Sequence, residues 1–197
     1  MTSASVLTTT HYGPQHATEI RQQLIDVYAE VYAAEAKTDP FFSVPRFTER
    51  LDRHCSNPGW SCVVGEIDGE IVGYAYGRPD SEQEWREMDT VISSDVREYG
   101  VGADMFGLCE IMVRTAWRGA GVARAIHNDL MSERPESRAS LLVERDHPRV
   151  RATYDRWGYR AVATSRPSPD APWYDAMVLD LRPAAGPDMP ADTARTA

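Results

Sequence analysis

A chain of 197 residues with 42% hydrophobic composition is long enough to build one domain around a real core. Its formal net charge of −9 and pI near 5.0 argue against sequence-independent nucleic-acid binding, which depends on cationic surface to displace counterions. No apolar run approaches the ~20 residues that span a bilayer, and the N-terminus MTSASVLTTTHYG lacks the basic and apolar regions of a secretory leader, so the expected location is the cytoplasm, away from membranes. Cys55, Cys62 and Cys109 are odd in number and without metal-ligand spacing, which fits reduced structural thiols and no bound metal.

In chain order, Ser5 to Thr9 reads as a short strand, and the Gly13–Pro14 break leads into a helix expected from Gln15 to Glu35. There Ile20, Leu24, Val27, Tyr28, Val31 and Tyr32 recur at helical spacing. A second helix begins near Pro45, with Phe47 and Leu51 pointing inward, and Asn57–Pro58–Gly59 ends it. Trp60 to Ile67 and Glu70 to Gly77 are strands joined by Asp68–Gly69, a dipeptide that tolerates the positive φ of a two-residue hairpin turn. From Asp80 to Asp104 the pattern dissolves, and eight acids face only Arg86 and Arg97. Strand character resumes over Met105 to Val113. A helix follows over Gly119 to Arg134, a strand over Ala139 to Val143 and a helix from Pro148 to about Arg156, a proline being suited to a first helical position. Two last strands run from Tyr159 to Thr164 and from Tyr174 to Leu181. Residues 1–182 are thus expected to form a single α/β (α+β) domain, a mixed sheet with helices on both faces, and the Pro-rich residues 183–197 a disordered tail.

The chemistry concentrates in one stretch. Between the strand ending at Val113 and the following helix lies Arg118-Gly119-Ala120-Gly121-Val122-Ala123, where small residues let a ligand approach the backbone and the helix start offers unpaired N–H groups to a pyrophosphate. An ordinary tight turn explains the same pattern, and neither a Rossmann GxGxxG nor a phosphate-loop Gly-Lys-Ser/Thr is present.

Arg118-x-x-Gly121-x-Ala123, preceded by Glu110-Ile-Met-Val113, resembles the coenzyme A motif of the GNAT superfamily of N-acetyltransferases, written Gln/Arg-x-x-Gly-x-Gly/Ala after a Glu-bearing strand. The segment from His147-Pro through Tyr154 to Gly158-Tyr159 is similar to the family's Asn-Pro-x-Ala-x-x-x-Tyr-x-x-x-Gly-Phe. The resemblance implies a mainly antiparallel central sheet and acetyl-CoA as co-substrate. Pantetheine would insert between splayed strands near Ile111, Met112 and Val113 and near Leu142 to Glu144, with the pyrophosphate on the amides of residues 118 to 123. Arg114, Arg118 and Arg124 are candidates for phosphate oxygens. His147 stands where the family has Asn; it could donate to a pantetheine carbonyl or simply open the helix.

Acetyl transfer needs a neutral amine, so a base must take a proton from an ammonium. Glu110 is the candidate, directly or through water; a surface glutamate or a structural ion pair is the alternative. Strand alternation places Glu110 and Met112 on one side and Cys109 and Ile111 on the other. In the family the tyrosine at the Tyr154 position protonates the departing thiolate, while a ring that merely caps the core is the rival reading. Oxyanion stabilisation would come from a backbone N–H near Met112 or Val113. Within the acidic segment Trp85, with Glu84, Glu87 and Asp89, could wall a cationic acceptor, or the run is a solvated loop.

The resemblance thus implies acetyl transfer from acetyl-CoA to a primary amine by direct attack in a ternary complex. The acidic balance favours a cationic small molecule such as an amino sugar, a polyamine or an amine-bearing antibiotic. A protein N-terminus, a non-catalytic coenzyme A sensor and a nucleotide-binding regulator stay open as alternatives, as does a homodimer.

Overall fold

The computed structural model describes residues 6–87, 89–92, 104–169 and 171–182. One sheet runs through it. Its strands are β1 (Leu7–Tyr12), β2 (Ser61–Ile67), β3 (Glu70–Pro79), β4 (Asp89–Ile92), β5 (Met105–Val113), β6 (Arg138–Glu144), β7 (Arg160–Arg166) and β8 (Tyr174–Asp180). They lie in the order β1-β2-β3-β5-β6-β8-β7-β4. Every neighbouring pair is antiparallel except β5 and β6. A parallel pair needs a crossover, and the helix α4 (Val122–Ser132) supplies it.

Local chemistry accounts for most of these elements. Asp68 at φ 53° and Gly69 at φ 81° form the two-residue turn that joins β2 to β3. Helix α1 (Ala17–Val31) buries Ile20, Leu24, Val27 and Tyr28 on one stripe, and α2 (Val44–Cys55) buries Phe47 and Leu51. Both pack on one face of the sheet, against Trp60, Cys62, Val64, Tyr74, Tyr76 and Met112. On the other face α4 contributes Val122, Ile126, Leu130 and Met131, and α5 (Pro148–Trp157) contributes Tyr154. Helices therefore cover both faces, as the sequence predicts. Among the described residues no helix is long and apolar enough to cross a membrane.

The differences from expectation have physical causes. Among the described residues the first strand is Leu7–Tyr12 and reaches three residues beyond the expected Thr9, because its register on β2 runs from Leu7 opposite Ile67 to Tyr12 opposite Cys62. Ser5, the expected start, lies outside the described residues. Helix α1 ends at Val31, and a separate 3-10 turn covers Glu35–Lys37. Helix α4 starts three residues later than expected, since Gly119 at φ 78° and Gly121 at φ 83° are left-handed and cannot continue a right-handed helix. Within the acidic segment Glu82–Glu87 form a short helix, α3, and Asp89–Ile92 pair with β7, while residues 93–103 lie outside the described residues. Residues 183–197 lie outside the described residues.

Candidate active site

The parallel ladder between β5 and β6 joins Met105–Leu108 to Arg138–Leu141 and goes no further among the described residues. Beyond it β5 stays bonded to β3 as far as Val113, while β6 stays bonded to β8 as far as Glu144. The two strands therefore splay, and the main-chain edges of residues 109–113 and 142–144 face a gap. At its mouth Arg118 is extended, Gly119 and Gly121 are left-handed, and α4 begins. The first bond of its ladder is Ala125 N to Gly121 O at 3.0 Å, so the amides of Val122, Ala123 and Arg124 precede any intrahelical partner. A Cβ built on Gly119 or Gly121 meets nothing within 4 Å, so this helix start opens onto free space. Ala120 is exposed between the two glycines, Val122 buries its side chain in the core and Ala123 is partly buried against it.

The arginines divide. Arg118 is exposed at the turn, with Nε donating to Val113 O at 3.2 Å, and the Arg124 guanidinium lies 5.3 Å from the Trp157 ring centroid. Arg114 is drawn elsewhere: Nε donates to Ile71 O at 2.7 Å, and Nη1 pairs with Glu30 of α1. It ties a helix to the sheet, which corrects its candidacy for phosphate.

Glu110 lies on the α1/α2 face, its side chain 16% exposed and its Oε1 3.9 Å from Arg50 Nη2. Burial pushes its carboxyl up to about 7, and the Arg50 charge opposes part of that rise. Tyr154 projects from α5 into the opposite core, its ring edge-on to Trp157 and Tyr159. Burial raises its phenol above the ordinary value, with a further contribution from the Glu110 charge across the splay. The candidate base and acid thus lie on opposite faces of the sheet, near enough for the Glu110 charge to act on the Tyr154 phenol. Simple alternation places Glu110 with Met112 correctly but misplaces Cys109. The β3–β5 register slips between Tyr76, opposite Glu110, and Gly77, opposite Leu108, so Cys109 is the extra residue of a bulge. It packs with Met112 on the α1/α2 face, while Ile111 packs on the other. Burial pushes the Cys109 thiol up, which suits a bystander.

Of the remaining candidates, His147 is half-exposed at the start of α5, with Nδ1 3.8 Å from Glu144 Oε2 at the splayed end of β6. Trp85 is corrected. It is 6% exposed in a cluster with Met105, Val162, Ala176 and Val178, and its Nε1 donates to Asp80 Oδ2 at 3.1 Å. It anchors α3 to the sheet and offers no wall to an acceptor. The Glu84 carboxylate is held by Arg78 at 2.6 and 2.8 Å, and the side chains of Glu87 and Asp89 lie outside the described residues. Sequence reasoning missed Arg50 and the aromatic side chains Tyr28, Tyr32, Tyr76 and Tyr174, all of whose phenols feel the Glu110 charge. A cavity of about 550 Å³ lies at the opposite end of the sheet, lined by His11, Trp60, Pro79 and Arg134, and contains none of these groups. Among the described residues no cluster of His, Cys, Asp and Glu is placed to hold a metal.

The model of the acetyltransferase (GNAT) family matches residues 22–159. Comparison with curated proteins gives no match. Among solved structures, the ribosomal-protein-S18-alanine N-acetyltransferase of Escherichia coli aligns with a TM-score of 0.58 at 16% identity, over 93% of this chain and 99% of that one. Aminoglycoside 6'-acetyltransferase type Ii aligns with a TM-score of 0.60 at 16% identity, over 89% and 98%. A protein from Salmonella typhimurium solved with its cofactor acetyl-CoA aligns with a TM-score of 0.57 at 17% identity, over 93% and 99%. At such identities the likeness is one of fold.

Proposed function

Since the chain belongs to the acetyltransferase (GNAT) family, we propose that it transfers an acetyl group from acetyl-CoA to a primary amine, with Glu110 as base and Tyr154 as acid. The observation that supports this reading is the splay of β5 from β6 beside an open helix start, with the buried Glu110 carboxyl on one face of the sheet and Tyr154 on the other, near enough to feel its charge.

The residues present fit acetyl-CoA. The amides from Gly119 to Arg124 can hold a pyrophosphate, with Arg118 and Arg124 near the charge. The edges of residues 111–113 and 142–144 that turn away from β3 and β8 can hydrogen-bond an extended pantetheine arm, although Val113 O already accepts from Arg118 Nε and Glu144 O from His147 N. His147 can donate at the start of α5. When bound, acetyl-CoA supplies a thioester activated for attack by nitrogen. The rest falls to the protein. Glu110 accepts the proton that leaves the ammonium as the amine becomes nucleophilic. A main-chain N–H near Met112 or Val113 would stabilise the negative charge that develops on the thioester oxygen. Tyr154 holds a proton at Oη for the departing sulfur.

A cationic acceptor is favoured by the mouth of the gap. Asp39, Glu35 and Asp146 lie close enough to Glu144 to help raise its carboxyl, after burial, and Tyr32 and Tyr174 feel Glu144 in turn. Aromatic faces with carboxylates around them attract ammonium groups. The test is acetyl-CoA-dependent release of free thiol over amino sugars, polyamines, amine-bearing antibiotics and peptide N-termini. Turnover on a polyamine or amino sugar that disappears in Glu110→Gln supports the reading, turnover confined to peptide N-termini moves the acceptor class, and no turnover on any amine refutes it.

A further inference from the structure

Arg50 makes more connections around Glu110 than the base itself does. Its Nη1 donates to Phe41 O at 3.1 Å, and its Nη2 donates to the Tyr28 hydroxyl at 3.3 Å. The guanidinium lies 4.7 Å from the Phe41 ring centroid and 5.9 Å from that of Phe47, with its side chain 17% exposed. One planar group therefore joins α2 to the 3-10 turn at Pro40–Phe42, to α1 and to β5. The wall it braces is continuous: Tyr28 stacks on Phe47 at 3.8 Å and lies 4.7 Å from Tyr32, which stacks on Phe42 at 5.1 Å.

Other titratable groups also face Glu110: Tyr28 from α1 and Tyr32 just past its end, Tyr74 and Tyr76 from β3, Cys109 beside it, Tyr154 from α5 and Tyr174 from β8. Burial holds every one of these phenols and the thiol above its ordinary value, so all are neutral near pH 7. Arg50 is then the one charged group acting on the carboxylate among the described residues. Its distance from Glu110 matters. A forked contact at about 2.8 Å would fix the carboxylate in its ionised state, whereas 3.9 Å leaves an oxygen able to take a proton.

We propose that Arg50 is the positioning residue of the acceptor side, anchoring Glu110 and the aromatic wall to each other without itself touching acceptor or cofactor. The proposal rests on the reading of Glu110 as base. Two functions of the guanidinium can be separated, because lysine keeps the charge but cannot reach Phe41 O and the Tyr28 hydroxyl together.

The experiment compares wild type, Arg50→Met, Arg50→Lys and Glu110→Gln. The pH dependence of kcat/KM is followed with the best acceptor from the amine panel. The carboxyl carbon of Glu110 is titrated by NMR in protein labelled with 13C-glutamate and free of substrates, its signal assigned by its loss in Glu110→Gln. Coenzyme A affinity, measured by calorimetry, reports the fold. Arg50→Met should move the acid limb and the NMR midpoint upward together by about one pH unit and lower kcat/KM at pH 7 about fivefold, with coenzyme A affinity unchanged. Arg50→Lys should keep the limb near its wild-type place while KM rises. Where the methionine variant does not fold, Arg50→Gln carries the same expectation. A limb and midpoint unmoved in Arg50→Met overturn the proposal, as does a defect confined to KM for carboxylate-bearing acceptors, which would mean direct contact. Wild-type kinetics in Glu110→Gln would overturn the base assignment and this proposal with it. Loss of activity in Glu110→Gln beside an unmoved limb in Arg50→Met overturns this proposal alone.

Discussion

His127 Nε2 of α4 lies 2.9 Å from the hydroxyl of Tyr159, with both residues buried behind the helix start that opens onto the splay. The imidazole is also packed on Trp157 at 4.7 Å. Burial holds it at about 4, with the nearby Arg124 charge acting in the same direction and the Asn128 contact opposing them. The folded state therefore binds this proton less readily than the unfolded chain, whose histidine titrates near ~6.5. The stability it contributes is complete above the unfolded value and is lost as pH falls from ~6.5 toward the folded value. Urea unfolding should show a loss of about 2 kcal/mol between pH 7.5 and pH 5 from this group alone. His127→Gln should flatten that slope. His54, held down to about 3 chiefly by burial, acts in the same direction, whereas Glu110, raised to about 7 chiefly by burial, opposes both over this range. The His127 contribution is therefore read from the difference between wild type and His127→Gln.

Gly121 at φ 83° sets the direction from which α4 begins, and the space in front of it is empty. Leucine there would strain the backbone by about 1–2 kcal/mol and place its side chain where a pyrophosphate is proposed to lie. Gly121→Leu should lower the melting temperature modestly and abolish the calorimetric heat of coenzyme A binding. Unaltered affinity would remove the pyrophosphate from this turn.

How much of this was legible depends on how local each cause is. The Asp68–Gly69 turn and the Gly119–Gly121 entry to α4 are written in adjacent residues, so reading dihedral tolerance sufficed. Tyr154 could be placed by motif spacing. Cys109 could not, because its side is decided by a register slip against Tyr76 and Gly77, which no alternation within β5 reveals. Trp85 was misread for a related reason. Its segment looks polar, but that one ring seats α3 on residues of β5, β7 and β8 distant in sequence. Arg50 gave no signal because it sits on a helix rich in charge, and its partners Phe41, Tyr28 and Glu110 come from three other elements.

Arg114 and Arg118 lie in the same loop and should give opposite phenotypes. Arg114 binds Ile71 O and Glu30, so Arg114→Gln should cost about 1–2 kcal/mol in urea unfolding and leave coenzyme A affinity within about twofold. The Arg118 side chain is exposed at the turn and makes one hydrogen bond, to Val113 O, so Arg118→Gln should cost less than about 1 kcal/mol of stability and weaken coenzyme A severalfold, more at low salt than at high salt. The reverse pattern would exchange the two assignments.

Glu110 and Tyr154 are proposed to handle protons at the two ends of one reaction, and their environments make this separable by pH. The Glu110 carboxyl, raised chiefly by burial to about 7, is active only when ionised, so kcat/KM should rise with pH through about 7 and level above it. The Tyr154 phenol is active only when protonated, and burial together with the Glu110 charge raises it above its ordinary value of 10.0. Consequently no alkaline fall should be seen up to about pH 9. Glu110→Gln should remove the acid limb and lower kcat/KM at least about 100-fold on the plateau above pH 7, with the deficit shrinking as pH falls and the wild type loses its ionised base. Tyr154→Phe should keep that limb and the coenzyme A affinity while lowering kcat about 10- to 100-fold. The loss should shrink with a thioester whose thiol is more acidic, because a better leaving group needs less proton donation. An unchanged kcat in Tyr154→Phe would leave the tyrosine only its place in the core, edge-on to Trp157 and Tyr159.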